Sequence, residues 1–326
     1  MEYRLYGRTG MRVSVLGLGC GGFGGVGSAP ELFGRGEDKD MAFALMDHAF
    51  EVGINYFDTA DSYGGGVSET IIGAWLKERK IRDQIVLSTK VFYAIAAGPN
   101  DRSLSRSHLI QAIDGSLRRL QTDHVDLYVT MEPDPNTPLE ETLQTMNELM
   151  QGGKIRHIGA SNITAPQLRD ALAVSDRLRV HRYQSVQNGY NLLERELEAE
   201  IVPLAVNERL AITPFSPTAG GLLTGKYRYG EPPPPGSRVD LRPQPYQRLM
   251  SRETFKRIDA LRTVARERGV DMGALALAWV ISHPAVTSAL IGPRTVGQFR
   301  PWLEAVDIHL SGDERDALVR HMEAAA

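Results

Sequence analysis

At 326 residues the chain is long enough for two domains, yet α/β barrels routinely run past about 250 residues as one unit, and a single domain over 1–326 is expected. Hydrophobic residues at 42% and charged residues at 24% are ordinary globular usage, so a large buried core is available. A formal charge of -3 leaves no basic field for nucleic acid and no polybasic stretch for a membrane surface.

In chain order, residues 3–14 read as a hairpin turning at Gly7-Arg8-Thr9-Gly10, placed to plug the bottom of a barrel. Short apolar runs then alternate with longer amphipathic ones, the rhythm of βα units and a parallel sheet. Strands are expected near 15–18, 54–57, 85–89, 125–129, 155–160, 182–186, 211–215 and 288–291. Helices are expected near 39–52, 68–78, 107–120, 139–151, 165–174, 194–208, 254–269 and 272–282. Eight strands with helices between them suit a closed (β/α)8 TIM barrel, with extra helices toward the C-terminus.

The one cysteine, Cys20, permits no intrachain disulfide, and near the end of the first barrel strand it reads as a small packed thiol. No 18-residue apolar run occurs, and Met1 opens no Arg-rich leader with an apolar centre, so a cytoplasmic location is the expectation. Thr137-Pro138-Leu139-Glu140, Thr164-Ala165-Pro166-Gln167 and Thr295-Val296-Gly297-Gln298 each read as helix starts with a capping threonine. Pro232 to Pro235, with Pro243 and Pro245, mark 220–251 as a long loop without helix, of the kind that covers a site.

Chemistry in such a barrel sits at the C-terminal ends of the strands. Polar residues gather there: Asp58-Thr59-Ala60-Asp61-Ser62-Tyr63-Gly64 after the second strand, Lys90 after the third, Ser161-Asn162 after the fifth and Gln187 after the sixth. The run Phe57 to Gly64, then Lys90, then Gly153-Lys154-Ile155-Arg156-His157-Ile158-Gly159-Ala160-Ser161-Asn162 resembles the aldo-keto reductase family. The resemblance continues through Phe215-Ser216-Pro217, Gly225-Lys226-Tyr227 and Ile291-Gly292-Pro293-Arg294-Thr295, and covers the chain from Gly7 to about Leu310. It is greatest to the bacterial branch that also resembles potassium-channel β subunits.

The resemblance implies reduction of an aldehyde or ketone by hydride transfer from NADP(H), with a small-molecule carbonyl substrate as partner and the oligomeric state left open. Such a reduction needs a proton on oxygen, and a tyrosine with a reference pKa of about 10 is a poor acid at neutral pH. A nearby ammonium favours the phenolate. The resemblance thus makes Tyr63 the proton donor, Lys90 the cation that tunes it, and Asp58 the carboxylate that holds Lys90. It implies further that Ser161, Asn162 and Gln187 bind the nicotinamide amide and that Phe215 stacks on the ring. Ser216, Leu222, Thr224 and Lys226 would strap the pyrophosphate, where Gly220 and Gly221 let backbone amides approach. Gly292 and Arg294 would meet the adenosine end, Arg294 suiting the 2′-phosphate. Gln298 matches an adenosine contact and is equally the last member of a capping box.

The pattern breaks at the family's fourth catalytic position. Alignment on Asp126-Leu127-Tyr128 puts Met131 where the family carries histidine, and methionine offers no N–H to a carbonyl oxygen. Three readings stay open: slow carbonyl reduction with Tyr63 the sole donor, reduction of a conjugated C=C bond, or a substitution that weakens or redirects an active enzyme. Some steroid double-bond reductases of the family carry glutamate here, and Glu132 is one residue away. A NADP(H)-binding regulatory subunit with little turnover is the reading from a different class. None of the eight histidines is an evident replacement; His157 lies within a strand. Pro301-Trp302 stands where related chains often carry Glu-Asn, and Trp302 reads as a helix anchor. Phe92, Tyr93 and Met131 are the candidate substrate wall, under loops 91–107 and 220–251.

Overall fold

The computed structural model describes residues 1–95, 98 and 100–326. The expected substrate loop 91–107 therefore includes three positions, 96, 97 and 99, outside the described residues.

The N-terminal hairpin is present: β1 (Tyr3–Leu5) pairs antiparallel with β2 (Arg12–Ser14). Eight parallel strands follow, β3 (Leu16–Gly19), β4 (Tyr56–Asp58), β5 (Val86–Val91), β6 (Val125–Thr130), β7 (Ile155–Ser161), β8 (Ser185–Gln187), β9 (Ala211–Ile212) and β10 (Ala289–Ile291). Each pairs with its neighbour in sequence, and β10 returns to pair with β3. Between β9 and β10, Thr287 N donates to Ile212 O and Leu290 N to Pro214 O, and these bonds close the ring. The architecture is the expected (β/α)8 barrel.

Two apolar layers follow from strand alternation. Tyr56, Val86, Leu127, Val129, Ala211 and Leu290 fill the barrel interior, and Tyr6 and Val13 of the hairpin join them. Tyr6 is fully buried and meets Tyr56 edge-on at 5.8 Å, so the hairpin does plug the barrel. A Cβ on Gly7 would lie 2.6 Å from Gln184 O, and at φ +55 only glycine makes this turn without strain.

The second layer lies between the sheet and a ring of helices: α1 (Lys39–Glu51), α2 (Val67–Arg79), α3 (Arg106–Leu120), α4 (Leu139–Gln151), α5 (Ala165–Leu178) and α6 (Leu197–Glu208). After the short α7 (Arg238–Leu241), helices α8 (Arg252–Arg268) and α9 (Met272–Ile281) complete it. Two further helices, α10 (Phe299–Asp307) and α11 (Gly312–Ala324), follow β10 as expected.

Several local expectations are corrected. Thr164 caps α5 in a full capping box with Gln167. Thr137 does not cap α4; its hydroxyl donates to Asp134, and Pro138 occupies the cap without a side-chain bond. Thr295 makes no cap either, because the Gln298 carbonyl accepts from Arg294 N instead. The ninth strand stops at Ile212 rather than 215, since Pro214 has no N–H to continue the ladder. The proline-rich 220–251 segment contains α7 and two 3-10 turns, the second carrying Pro245 in its first turn where no N–H is needed, so it is not free of helix. No described helix is long and apolar enough to cross a membrane.

Candidate active site

The C-terminal ends of β4, β5 and β8 bring Asp58, Lys90 and Gln187 together, and the turn after β4 adds Tyr63. Inward-facing positions alternate along each strand, so Asp58 shares the interior face with Tyr56, and Lys90 with Val86. Lys90 Nζ donates to Asp58 Oδ2 at 2.5 Å, to Thr59 O at 2.8 Å and to Tyr63 Oη at 3.4 Å. The ammonium also sits 4.9 Å from the Tyr63 ring centroid. Gln187 Nε2 donates to the other oxygen of Asp58 at 3.0 Å, so both oxygens of that buried carboxylate are bonded.

Lys90 is 1% exposed. Burial works against its charge, but the Asp58 carboxylate and Tyr63 outweigh that loss and hold the ammonium above its usual value. Lys90 is therefore a fixed cation with its free side toward the tyrosine hydroxyl. Tyr63 reaches it from a tight turn: Gly64, Gly65 and Gly66 all have positive φ, and α2 starts directly after them. A Cβ on Gly64 would lie 2.8 Å from Phe23 O, so a bulkier turn would push Tyr63 off the site.

Met131 is 6% exposed and lies beyond the last residue of β6, with its amide donating to Val91 O at 2.9 Å. Glu132 does not take its place. The Glu132 carboxylate accepts from Tyr93 Oη at 2.9 Å, and Arg102 lies 4.9 and 5.1 Å from the Phe92 and Tyr93 ring centroids. Burial and the Glu132 carboxylate push the Tyr93 hydroxyl up to about 12. Phe92 and Tyr93 meet edge to face at 5.3 Å, and Glu132 is tied to the Tyr93 hydroxyl. His157 is held in β7 and half-buried, far along the strand from its C-terminal end.

Around this knot the remaining predicted residues take definite places. Ser161 Oγ donates to Gln187 O, and Asn162 Nδ2 donates to Met131 O. Asn162 and Ser216 both have positive φ, +53 and +54, a strained backbone that is held where the chain leaves the barrel. The Ser216 carbonyl accepts from the fully buried Asn191. Phe215 rests against Gly189, half-buried over the barrel interior. Leu222 is 1% exposed and belongs to the core, so only its backbone is available to a ligand. Thr224 Oγ1 donates to Gly221 O.

At the far end of the cleft Lys226 folds its ammonium back over Gly221. Lys226 is exposed as a residue, but loss of water at the ammonium, with Arg294 and Arg238 nearby, holds it below the usual lysine value. Arg294 Nε donates to Glu37 Oε1 at 2.6 Å. Gly292 has open space around it. Lys226, Arg238 and Arg294 suit the phosphates of a dinucleotide, whereas the Gly221 amide already donates to Thr218 O at 2.9 Å. The half-buried Phe215 offers an aromatic surface to a flat ring, so the residues fit a nicotinamide cofactor.

Sequence reasoning missed Glu37, Arg238 and Asn191. Glu37 sits in a loop without a pattern of its own, and Arg238 opens the four-residue α7, too short to show a period. Asn191 follows Gln187 closely but carries no motif. Trp302 packs against Gly273 of α9, as a helix anchor would.

The sequence model of the "Aldo/keto reductase family" matches residues 15–323. The chain belongs to the aldo/keto reductase family. "Uncharacterized oxidoreductase YrpG" of Bacillus subtilis (strain 168) is 37% identical over 319 residues, covering 95% of this chain and 92% of that protein. "Probable voltage-gated potassium channel subunit beta" of Oryza sativa subsp. japonica is 36% identical, covering 94% and 92%. "Versiconal hemiacetal acetate reductase" of Aspergillus parasiticus is 31% identical, covering 96% and 95%. This aldo/keto reductase is accordingly an oxidoreductase of a family that uses a nicotinamide dinucleotide on small carbonyl compounds.

Proposed function

We propose that this aldo/keto reductase reduces an aldehyde or ketone to an alcohol with NADPH, Tyr63 delivering the proton to the carbonyl oxygen. The observation that carries this reading is the buried Lys90 ammonium, locked on Asp58 and turned toward Tyr63 Oη. A bound nicotinamide would supply the hydride to the carbonyl carbon. Tyr63 then gives its hydroxyl proton to the oxygen on which negative charge develops. The fixed Lys90 charge stabilises the phenolate left behind, so the proton transfer becomes easier. Asp58 keeps Lys90 charged and in place, and Gln187 keeps Asp58 in place.

Ser161, Asn162 and Gln187 would hold the carboxamide, and Phe215 the ring face. Ser216, Thr224, Lys226 and the Leu222 backbone would strap the phosphates, with Gly292, Arg294 and Gln298 at the adenosine end. The Gln298 carbonyl already accepts from Arg294 N, so its side chain orders the arginine from behind. Met131 contributes shape and no hydrogen bond. Loss of one donor to a developing oxyanion costs about 100- to 1000-fold in turnover at a well-studied site. The site is therefore a slow carbonyl reductase for reactive substrates.

Tyr63→Phe tests the assignment. It removes the proton and little else, so NADPH oxidation with an aldehyde should vanish while NADPH binding stays. Normal turnover in that variant would refute the proton-donor role. Met131 and the potassium-channel relative favour one second reading, a dinucleotide-binding subunit with little turnover. That reading expects NADPH binding with no substrate-dependent oxidation.

A further inference from the structure

We propose that Glu37 is a built-in competitor for the cofactor's 2′-phosphate and thereby sets how strongly the site prefers NADPH over NADH. The proposal rests on the dinucleotide reading above and adds a specificity-determining residue to it.

Glu37 closes the glycine-rich loop 20–38, between β3 and α1. Its amide donates to Gly22 O at 2.8 Å, and its carbonyl accepts from Gly24 N at 2.8 Å. A Cβ on Gly22 would lie 2.0 Å from Glu37 Oε2, and one on Gly36 would lie 2.0 Å from Gly22 O. The loop is packed so closely that its glycines are required, and it leaves the Glu37 side chain, 4% exposed, little room to swing away. That fixed carboxylate is aimed at Arg294, whose Nε donates to it at 2.6 Å. A second nitrogen of the guanidinium, Nη1, donates to Gly236 O of the long loop. Glu37, Arg238, Gly292 and Arg294 line one small cavity, and Lys226 is close enough to feel both arginines.

A buried carboxylate thus occupies the arginine that a 2′-phosphate needs. A phosphate arriving there has two options. It takes the guanidinium from Glu37 and leaves a buried carboxylate without its partner, or it shares Arg294 and sits beside a like charge. Both oppose binding. The 2′-hydroxyl of NADH meets neither obstacle, and a hydroxyl can donate to a carboxylate. Carboxylates that recognise a ribose 2′-hydroxyl elsewhere follow the same chemistry on an unrelated fold. The Glu37 charge therefore penalises the phosphorylated dinucleotide selectively.

The test measures equilibrium binding, by fluorescence quenching and calorimetry, on the full chain and on Glu37→Gln. The probes are NADPH, NADH, adenosine 2′,5′-bisphosphate and AMP. Removing the charge should tighten NADPH and the bisphosphate by about tenfold, on the scale of a relieved like-charge contact, with NADH and AMP changing by less than about twofold. In an Arg294→Ala background, where no guanidinium is left to contest, the same substitution should produce a smaller gain. Glu37→Ala removes the carboxylate together with its packing, and it should shift the NADPH-to-NADH ratio in the same direction. Preferential loss of NADPH affinity in Glu37→Gln overturns the proposal, because Glu37 would then be positioning Arg294 for the phosphate. Equal change in both dinucleotides overturns it too, while leaving the cofactor assignment standing. If neither dinucleotide binds the unmodified chain or the variants, the cofactor reading and this proposal fall together.

Discussion

The two ends of the cleft are built differently. The polar knot of Asp58, Lys90 and Gln187 stands on three strands of one barrel, and each partner is fixed by the register of its strand. The phosphate end, with Glu37, Lys226, Arg238 and Arg294, stands on loops and the short α7, which meet only in the folded chain. Strand-built geometry suits chemistry, where a displacement of about 1 Å can cost 100-fold. Loop-built geometry suits a ligand that must enter and leave. Substitutions at the first end should therefore change turnover or stability, and substitutions at the second should change binding.

The largest expected separation is Tyr63→Phe. Positioned proton transfer contributes about 100- to 10,000-fold, and that much carbonyl reduction should be lost with NADPH affinity intact in a titration. A parallel loss of affinity would break the division between the two ends.

Lys90→Met addresses how far the strand end is held by its ion pair. It leaves Asp58 buried without its cation, and unfolding by denaturant should show a loss of about 3–5 kcal/mol. The Lys90 pKa lies above its ordinary value of 10.5 in the folded chain. Its contribution is then fully present below about pH 10.5 and is lost as pH rises through the folded value. The penalty should be flat from pH 7 to 9 and shrink in stronger alkali. A penalty that already falls between pH 7 and 9 would contradict a buried, charged Lys90.

Asp61 sharpens the contrast from the same segment. Asp58 faces inward with both oxygens bonded, whereas Asp61, three residues on and 1% exposed, makes no well-formed side-chain hydrogen bond beyond the nearby Ser62 groups. Burial, with the neighbouring Glu69 carboxylate, pushes its acid well above the usual range. The folded chain keeps a proton there that the unfolded chain gives up above about pH 3.8. The stability this group supplies is thus present below that pH and lost as pH rises toward the folded value. Asp61→Asn should stabilise the protein at pH 7 by about 1–3 kcal/mol, the scale of an unmet buried polar group, with the gain fading toward pH 4. A destabilised variant would show that Asp61 is paired after all.

The strand end was legible in the sequence because its residues fall at fixed places after apolar runs. Asp58, Tyr63, Lys90 and Gln187 each follow a predicted strand by a few residues, and the structure brings them together. Helix positions were legible for the same periodic reason, with α4 (Leu139–Gln151) found at its predicted bounds. Helix caps were less so: Thr137 and Thr295 had the right residue types, but Asp134 and Arg294 won the hydrogen bonds. The loop end was half legible. Arg294 could be picked out by its place after the last strand, whereas its partner Glu37 lies 257 positions away in a loop without periodicity. Only the packing of Gly22, Gly24 and Gly36 brings Glu37 to Arg294, and glycines in sequence do not say which way a loop folds.

The most direct test of a carbonyl-reduction site missing one donor is steady-state NADPH oxidation with an activated aromatic aldehyde, on this chain and on Met131→His in parallel. The histidine restores an N–H beside Tyr63, and turnover is expected to rise by at least about tenfold, within the 100- to 1000-fold scale of an oxyanion donor. If both proteins bind NADPH and neither oxidises it with the aldehyde, the knot of Asp58, Lys90 and Tyr63 does not reduce carbonyls.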